Sequence, residues 1–384
     1  MSGYIKNIEL ASAPVERDNR IDTMRGLLLI SMAINHYGGW MADTIWEPFG
    51  YVSDAEGFIY MSGFVFALVY SRYITDLKKL AKKIFHRAFT VYHYHLYLIF
   101  GIPLISLLFP EYQEYWKNMI YYLYNVSVVK YIIGSFFIIN QPTFMDILPM
   151  YTVFIFFCWP ILLLLIHGKD YIAIALCVIF WGLGQFINPV WYLSAYILPG
   201  SSPGIFNLFS WQIVFFMGAY FGFRKRFKMS VSLFEKKYVI LPVVLFFAVM
   251  FIIRHTYYNT ELMLKLTERN NLAWLRLLDM GSVFFIIYLV IKKIPAKYGI
   301  PLVNFLGKHS LQVFAFHILM MYLLIAPFGT GETILENHGN FWYIIGLIIY
   351  LCTLPIPAFW HDRFMKRQAE RRKKKQNQTA PSSP

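Results

Sequence analysis

Residues 23–42 read as one hydrophobic helix with an arginine at its start and a histidine well inside it. The stretch runs Asp22-Thr23-Met24-Arg25-Gly26, then an apolar run to Ala33, then Asn35-His36-Tyr37-Gly38-Gly39. A helix of about twenty such residues is long enough to cross a bilayer. Arg25 and His36 lie eleven positions apart, almost three turns at about 3.6 residues per turn, so they point the same way, about 16 Å apart along the axis. A histidine inside a membrane helix is costly and faces a cavity or a partner. The plain alternative is that His36 only bonds a neighbouring helix. An arginine at one membrane surface and an imidazole towards the other, on one face, suggest a reaction path through the membrane.

Composition extends this to the whole chain. Of 384 residues, 58% are hydrophobic and 15% charged, with mean hydropathy +0.49, which is the make-up of an all-α polytopic membrane protein. The net charge of +14 raises the question of nucleic acid. The basic residues sit in short loops between apolar runs, so the expectation is a membrane and its lipids, and no nucleic-acid partner. Cys158, Cys177 and Cys352 all lie inside apolar runs, so neither a disulfide framework nor a metal site is expected. The first twenty residues are polar and of mixed charge, unlike a cleavable signal peptide.

Ten spanning helices are predicted, near 23–42, 55–71, 84–109, 145–166, 171–188, 205–222, 238–253, 276–291, 309–326 and 342–360. The patchily apolar 112–140 stretch either lies along the interface or dips in as a re-entrant segment. Basic residues alternate from loop to loop. They gather at Arg72–Lys83, Arg224–Lys237, Lys292–Lys308 and beyond Arg363; the opposite loops hold few, Lys117 and Lys130 in one, Arg254, Lys265, Arg269 and Arg276 around another, and none in 43–54, 189–204 or 327–341. Positive loops stay in the cytoplasm, which puts both termini there. The expected organisation is a cytoplasmic segment 1–22, a membrane domain 23–360, and a basic, disordered cytoplasmic tail 361–384.

The layout gives each polar residue a depth. Ser53-Asp54-Ala55-Glu56-Gly57-Phe58 opens the second helix at the level His36 approaches. A carboxylate accepting from one imidazole nitrogen makes the other a better base, so Asp54 and Glu56 are candidate partners of His36. They equally suit a helix N-terminus for their charge alone. Lys82, Lys83, Arg87 and Arg25 would ring the cytoplasmic mouth, a cluster suited to the phosphates of a nucleotide-type donor. Of His93 and His95, His93 is the candidate for lining a cavity. His317, mid-depth in the ninth helix, is a second catalytic candidate, because an unpaired imidazole there is costly. Asp146 lies at the outer end of the fourth helix. Trp211, Gln212 and Asp279 suit an outer vestibule that binds sugar hydroxyls.

Together these segments resemble a known family. Arg25 with His36 resembles the signature of the membrane acyltransferase-3 superfamily. The fuller pattern is similar to the OpgC family of osmoregulated periplasmic glucan modification proteins. It comprises Asp22-x-x-Arg25-Gly26 with Asn35-His36, Ser53 to Phe58 with Ser62-Gly63, Asp146-Ile147-Leu148-Pro149, Trp211-Gln212, and Ser310-Leu311 with His317. The resemblance implies a ten-helix enzyme of the bacterial inner membrane. It would hold no permanent cofactor and would move an acyl group, succinyl in the named members, from cytoplasmic acyl-CoA to a periplasmic glycan hydroxyl. Where the wider superfamily has a second arginine pair in its third helix, this chain has Lys83, His86 and Arg87. The rival reading is a transporter of a glycan or lipid-linked sugar, since polar residues in aromatic-rich helices also line permeation paths. Against it, the chain shows neither an internal repeat nor a matching pair of interrupted helices.

Overall fold

The computed structural model describes residues 17–229, 236–256 and 260–379, and within these the chain is helical without strands. Eleven longer helices organise it: α1 Asn19–Tyr37, α2 Asp54–Tyr70, α3 Leu77–Leu108, α4 Ile147–Ile166, α5 Asp170–Gly184, α6 Leu208–Arg226, α7 Lys237–His255, α8 Trp274–Ile291, α9 Ser310–Phe328, α10 Asn340–Thr353 and α11 Pro355–Thr379. Each predicted apolar stretch holds one of them, the last holding α10 and the start of α11.

Among the described residues, five helical stretches are long and apolar enough to cross a membrane: α3, α4, α7, α8 and Asn340–Arg371. A sixth arises if α5 and the helix Pro189–Ile197, bent by 48° from each other, form one span. This makes the chain a membrane protein. The remaining predicted spans fall short for reasons visible in their residues. Helix α1 opens with Arg20, Asp22 and Arg25, α2 has 17 residues with Asp54 and Glu56 in its first turn, and α6 ends in Arg224-Lys225-Arg226. For α9 the apolar run among the described residues is Ser310–Leu324, and the sequence carries it on through Ile325-Ala326.

Two boundaries differ from expectation. Helix α3 starts at Leu77 because Asp76 caps it, accepting from the Lys79 amide at 2.9 Å, and the lysines that follow are good helix formers. The tail predicted to be disordered from 361 is helical to Thr379, within α11. Its Ala, Gln, Glu, Lys and Arg residues favour helix, and Asp362 and Lys366 pair one turn apart at 2.8 Å. Residues 1–16, most of the predicted N-terminal segment, and 380–384 lie outside the described residues.

The core is built where backbones approach closely. Helices α2 and α6 pack on each other through glycine: a Cβ on Gly63 would strike the Phe215 carbonyl, and one on Gly218 the Tyr60 carbonyl. Small residues at such crossings let membrane helices interlock. Helix α1 lies against α2, α9 and the short helix Pro301–Lys308. Its start is tied to α6 by Asp18, which accepts from Arg20 and Lys225 at 2.7 and 2.6 Å. Burial works to raise the Asp18 carboxyl, but these two cations outweigh it and hold it down, to about 2. By contrast α7 buries only Met250, and Leu241, Leu245, Val249 and Ile252 on it are exposed, as a lipid-facing helix requires.

The 112–140 stretch forms three short helices, Glu111–Trp116, Tyr121–Asn125 and Val128–Phe136. One face is buried through Trp116, Tyr122 and Tyr131, while Val129, Ile133 and Phe137 are exposed. Trp116 Nε1 donates to the Tyr322 carbonyl at 3.1 Å and Tyr131 Oη to that of Ile99 at 2.6 Å. The stretch is thereby stitched to α9 and α3.

Candidate functional site

Helices α1 and α9 run parallel and touch at two levels. At the first, Arg25 Nη2 donates to Ser310 Oγ. At the second, His36 Nδ1 lies 3.1 Å from His317 Nε2, with the rings stacked at 5.2 Å between centroids. The level spacing is about 16 Å along α1 but about 10 Å along α9, where the two residues are seven apart. The long arginine side chain takes up the difference. Arg25 and His36 therefore share a face, as their spacing predicts, and α9 is what that face meets.

The partner of His36 differs from the one expected. Asp54 Oδ2 accepts instead from Asn35 Nδ2 at 2.6 Å and from Ser31 Oγ at 3.3 Å. Glu56 caps its own helix, accepting from the Ser53 amide at 3.1 Å, and takes Arg276 Nε at 2.6 Å. Arg276 also holds Glu47 at 2.9 Å, and Arg254 holds Glu47 at 3.0 Å. A buried carboxylate needs a cation more than an imidazole can supply, so the arginines win Glu56. Asp54 still acts on the site indirectly, because it fixes Asn35, the residue before His36. Arg269 and Arg276 enter the sequence reading only as loop charges, and nothing in their local pattern sets them apart.

His36 is half-buried, whereas His317 behind it is only 1% exposed. Among the described residues no hydrogen bond reaches His36 Nε2. The contact between the rings needs one nitrogen to donate and the other to accept. With His36 in the tautomer protonated at Nδ1, His317 Nε2 accepts and His36 Nε2 keeps a free lone pair. Phe144 packs on the His36 ring at 4.5 Å, and Phe314 meets His317 edge-on at 5.0 Å.

Arg25 and Arg87 line one small cavity of about 10 Å³ together with Ser62, Tyr151 and Ser310. Phe58 and Phe314, stacked at 5.5 Å, also line it. Phe314 thus touches both ends, lining the arginine cavity on one side and meeting the His317 ring on the other. Lys82 and Lys83, predicted at the same mouth, are exposed on α3 away from that cavity. His93, expected to line a cavity, is exposed and only returns to the Phe89 carbonyl at 2.6 Å, while His95 is fully buried. Two positions apart on a helix of about 3.6 residues per turn, the two residues fall on different faces of α3.

The residues expected in an outer vestibule are not gathered into one. Asp146 accepts from the Ile205 amide at 3.2 Å, and Asp279 from the Tyr51 amide at 2.7 Å. Gln212 Nε2 donates to the Cys177 carbonyl at 2.7 Å. Trp211 is fully buried, bonded through Nε1 to the Arg269 and Asn270 carbonyls at 3.1 Å. Each of the four is held by backbone from another part of the chain: Asp146, Trp211 and Asp279 fasten loops to helices, and Gln212 fastens α6 to α5.

No curated protein and no solved structure matches the chain. A family model described as OpgC protein matches residues 17–366, which takes in both levels of the α1–α9 contact and nearly the whole chain. The protein therefore belongs to the OpgC family.

Proposed function

We propose that this protein is an integral membrane O-acyltransferase that moves an acyl group from cytoplasmic acyl-CoA to a hydroxyl of a periplasmic or surface glycan. The observation that carries the reading is the pair of α1–α9 contacts, Arg25 with Ser310 and His36 with His317. Membership of a family of glucan-modifying proteins supports the class of acceptor. Succinyl, from succinyl-CoA, is the acyl group the earlier resemblance favours, and the acyltransferase-3 superfamily is the wider group it points to. The protein would sit in a bacterial inner membrane with ten spans and both termini in the cytoplasm, α1 and α9 crossing in the same direction.

The donor and acceptor stand on opposite sides of a membrane, because coenzyme A is a polyanion and cannot leave the cytoplasm. Arg25 and Arg87 would meet the donor, with Lys83 at the exposed edge of the same end, and the thioester would be carried past Phe58 and Phe314. At the far end His36 Nε2 takes the proton of the acceptor hydroxyl as its oxygen attacks the thioester carbonyl. When the tetrahedral intermediate collapses, the C–S bond breaks and the proton passes from the imidazolium to the departing thiolate. His317 accepts from His36 Nδ1 and steadies the imidazolium as it forms. Asp54 and Glu56 position this end through Asn35 and Arg276, and Asp146, Trp211, Gln212 and Asp279 shape its acceptor side. General-base assistance of this kind is worth about 10²–10⁴ in rate.

The test is transfer itself. Purified protein in nanodiscs, given acyl-labelled acyl-CoA and a neutral glucan, should leave covalent label on the glucan and release free coenzyme A. A transporter would leave the glucan unlabelled.

A further inference from the structure

A second cavity, of about 150 Å³, opens between the 118–122 turn, Pro142-Thr143 and Gly200–Ser202. We propose that it binds one neutral sugar unit of the acceptor glycan and delivers the neighbouring unit to His36, a proposal that rests on the acyl-transfer reading above.

The lining carries no charged residue. A phosphate, a carboxylate or a lipid headgroup would find no counter-charge there, and leaving an ion without one is costly. What the wall offers is neutral hydrogen bonding beside aromatic rings. Part of that polar set is spent on holding the wall. Tyr122 Oη donates to the Pro199 carbonyl at 3.2 Å, Asn140 Oδ1 accepts from the Ser202 amide at 3.2 Å, and Tyr131 Oη is taken by Ile99. Three side-chain groups have no hydrogen bond among the described residues: the Asn118 amide, the Thr143 hydroxyl and the Ser202 hydroxyl. All three residues are exposed, as is the Tyr121 ring beside them. An amide and two hydroxyls can each donate and accept, which matches the hydroxyls of a sugar, and an exposed ring offers a face to its C–H groups. A cavity of this volume takes a ring rather than a single water.

Its position gives the site a purpose. Thr143 is fixed from both sides, its amide donating to the Met119 carbonyl at 3.2 Å and its carbonyl accepting from Tyr322 Oη at 2.8 Å. Tyr322 stands on α9, five residues after His317. The residue after Thr143 is Phe144, whose ring covers His36 at 4.5 Å. Phe144 has φ 66°, a left-handed conformation that a bulky residue rarely adopts and that its surroundings must impose. The backbone there turns so that Thr143 faces the cavity while Phe144 faces the base. One wall thus separates the sugar site from the imidazole pair, and a glycan seated in the cavity runs over Phe144 towards His36 Nε2.

The variants are Asn118→Leu and Ser202→Ala, with Ser202→Trp to fill the cavity. In the transfer assay, each of the first two should raise the acceptor KM about three- to tenfold, the effect of one lost hydrogen bond, with the donor KM unchanged. Ser202→Trp should remove acceptor saturation altogether. Independently of any chemistry, saturation-transfer NMR should show a neutral gluco-oligosaccharide bound by the wild-type protein and not by Ser202→Trp, and an acidic oligogalacturonate bound by neither. The NMR arm separates the two claims: binding without transfer would leave the sugar site standing and the acyl-transfer reading fallen. Unchanged acceptor KM with unchanged oligosaccharide binding in Ser202→Trp would overturn the sugar site, as would preferential binding of the acidic oligosaccharide.

Discussion

His36 Nδ1 lies 3.1 Å from His317 Nε2, and this contact decides which nitrogen of each ring is left for chemistry. If His36 donates, its Nε2 is the free base and His317 is the acceptor that orients it. His317→Leu should then lower kcat about tenfold to a hundredfold, by removing orientation but not the basic nitrogen. His317→Gln supplies an amide oxygen as acceptor and should recover part of the rate. The comparison of the two kcat values, at unchanged acyl-CoA affinity, checks the assignment. A rate for His317→Leu equal to that of the wild type would remove His317 from the site.

Arg25 should matter to the donor. Arg25→Ala should weaken acyl-CoA binding by about 1.5–3 kcal/mol, the range for a charge-assisted hydrogen bond. Ser310→Ala, which removes only the partner that steadies it, should cost less. Isothermal titration with a non-hydrolysable acyl-CoA analogue reads both. Equal affinity in Arg25→Ala and wild type would assign Arg25 to packing.

Phe314 should control passage between the two ends. Phe314→Trp should lower transfer while acyl-CoA still binds at the arginine end, because Phe314 lines the arginine cavity on one side and meets the His317 ring on the other. Single-turnover transfer measured against equilibrium binding separates the two effects. A parallel loss of binding would place the donor deeper than proposed.

Arg276 should be structural. It bridges Glu47 and Glu56, and Arg276→Met would leave the buried Glu56 carboxylate without a cation and Glu47 with Arg254 alone. Breaking a buried pair costs about 3–5 kcal/mol. The variant should show a sharply lowered melting temperature by size-exclusion thermal profiling. Glu56→Gln should likewise lose stability, while its surviving folded fraction keeps most of its kcat.

The legible parts of this chain were those set by short periods. The eleven-residue spacing of Arg25 and His36 put them on one face, and the apolar runs located the long helices. The tie between Ser310 and Arg25 was beyond reach, because it depends on which helix α1 packs against, 285 residues away in sequence. Glu56 shows the other limit. Its place beside His36 was read from depth, but Arg276, 220 residues later, decides what it bonds. Phe144 was invisible for a third reason: a left-handed phenylalanine is imposed by tertiary contacts and has no local signal. The family pattern reached most of the same residues, and it could not say that His317, not a carboxylate, is the neighbour of His36.

The most direct test of the central claim is turnover by His36→Gln in purified, folded protein. Glutamine can hold a hydrogen bond to His317 but cannot take a proton from an acceptor hydroxyl. The account predicts acyl-CoA binding close to that of the wild type, since the arginine end is untouched, with transfer lowered at least about a hundredfold. Substantial transfer by His36→Gln, measured as label on the glycan, would contradict it and place the base elsewhere.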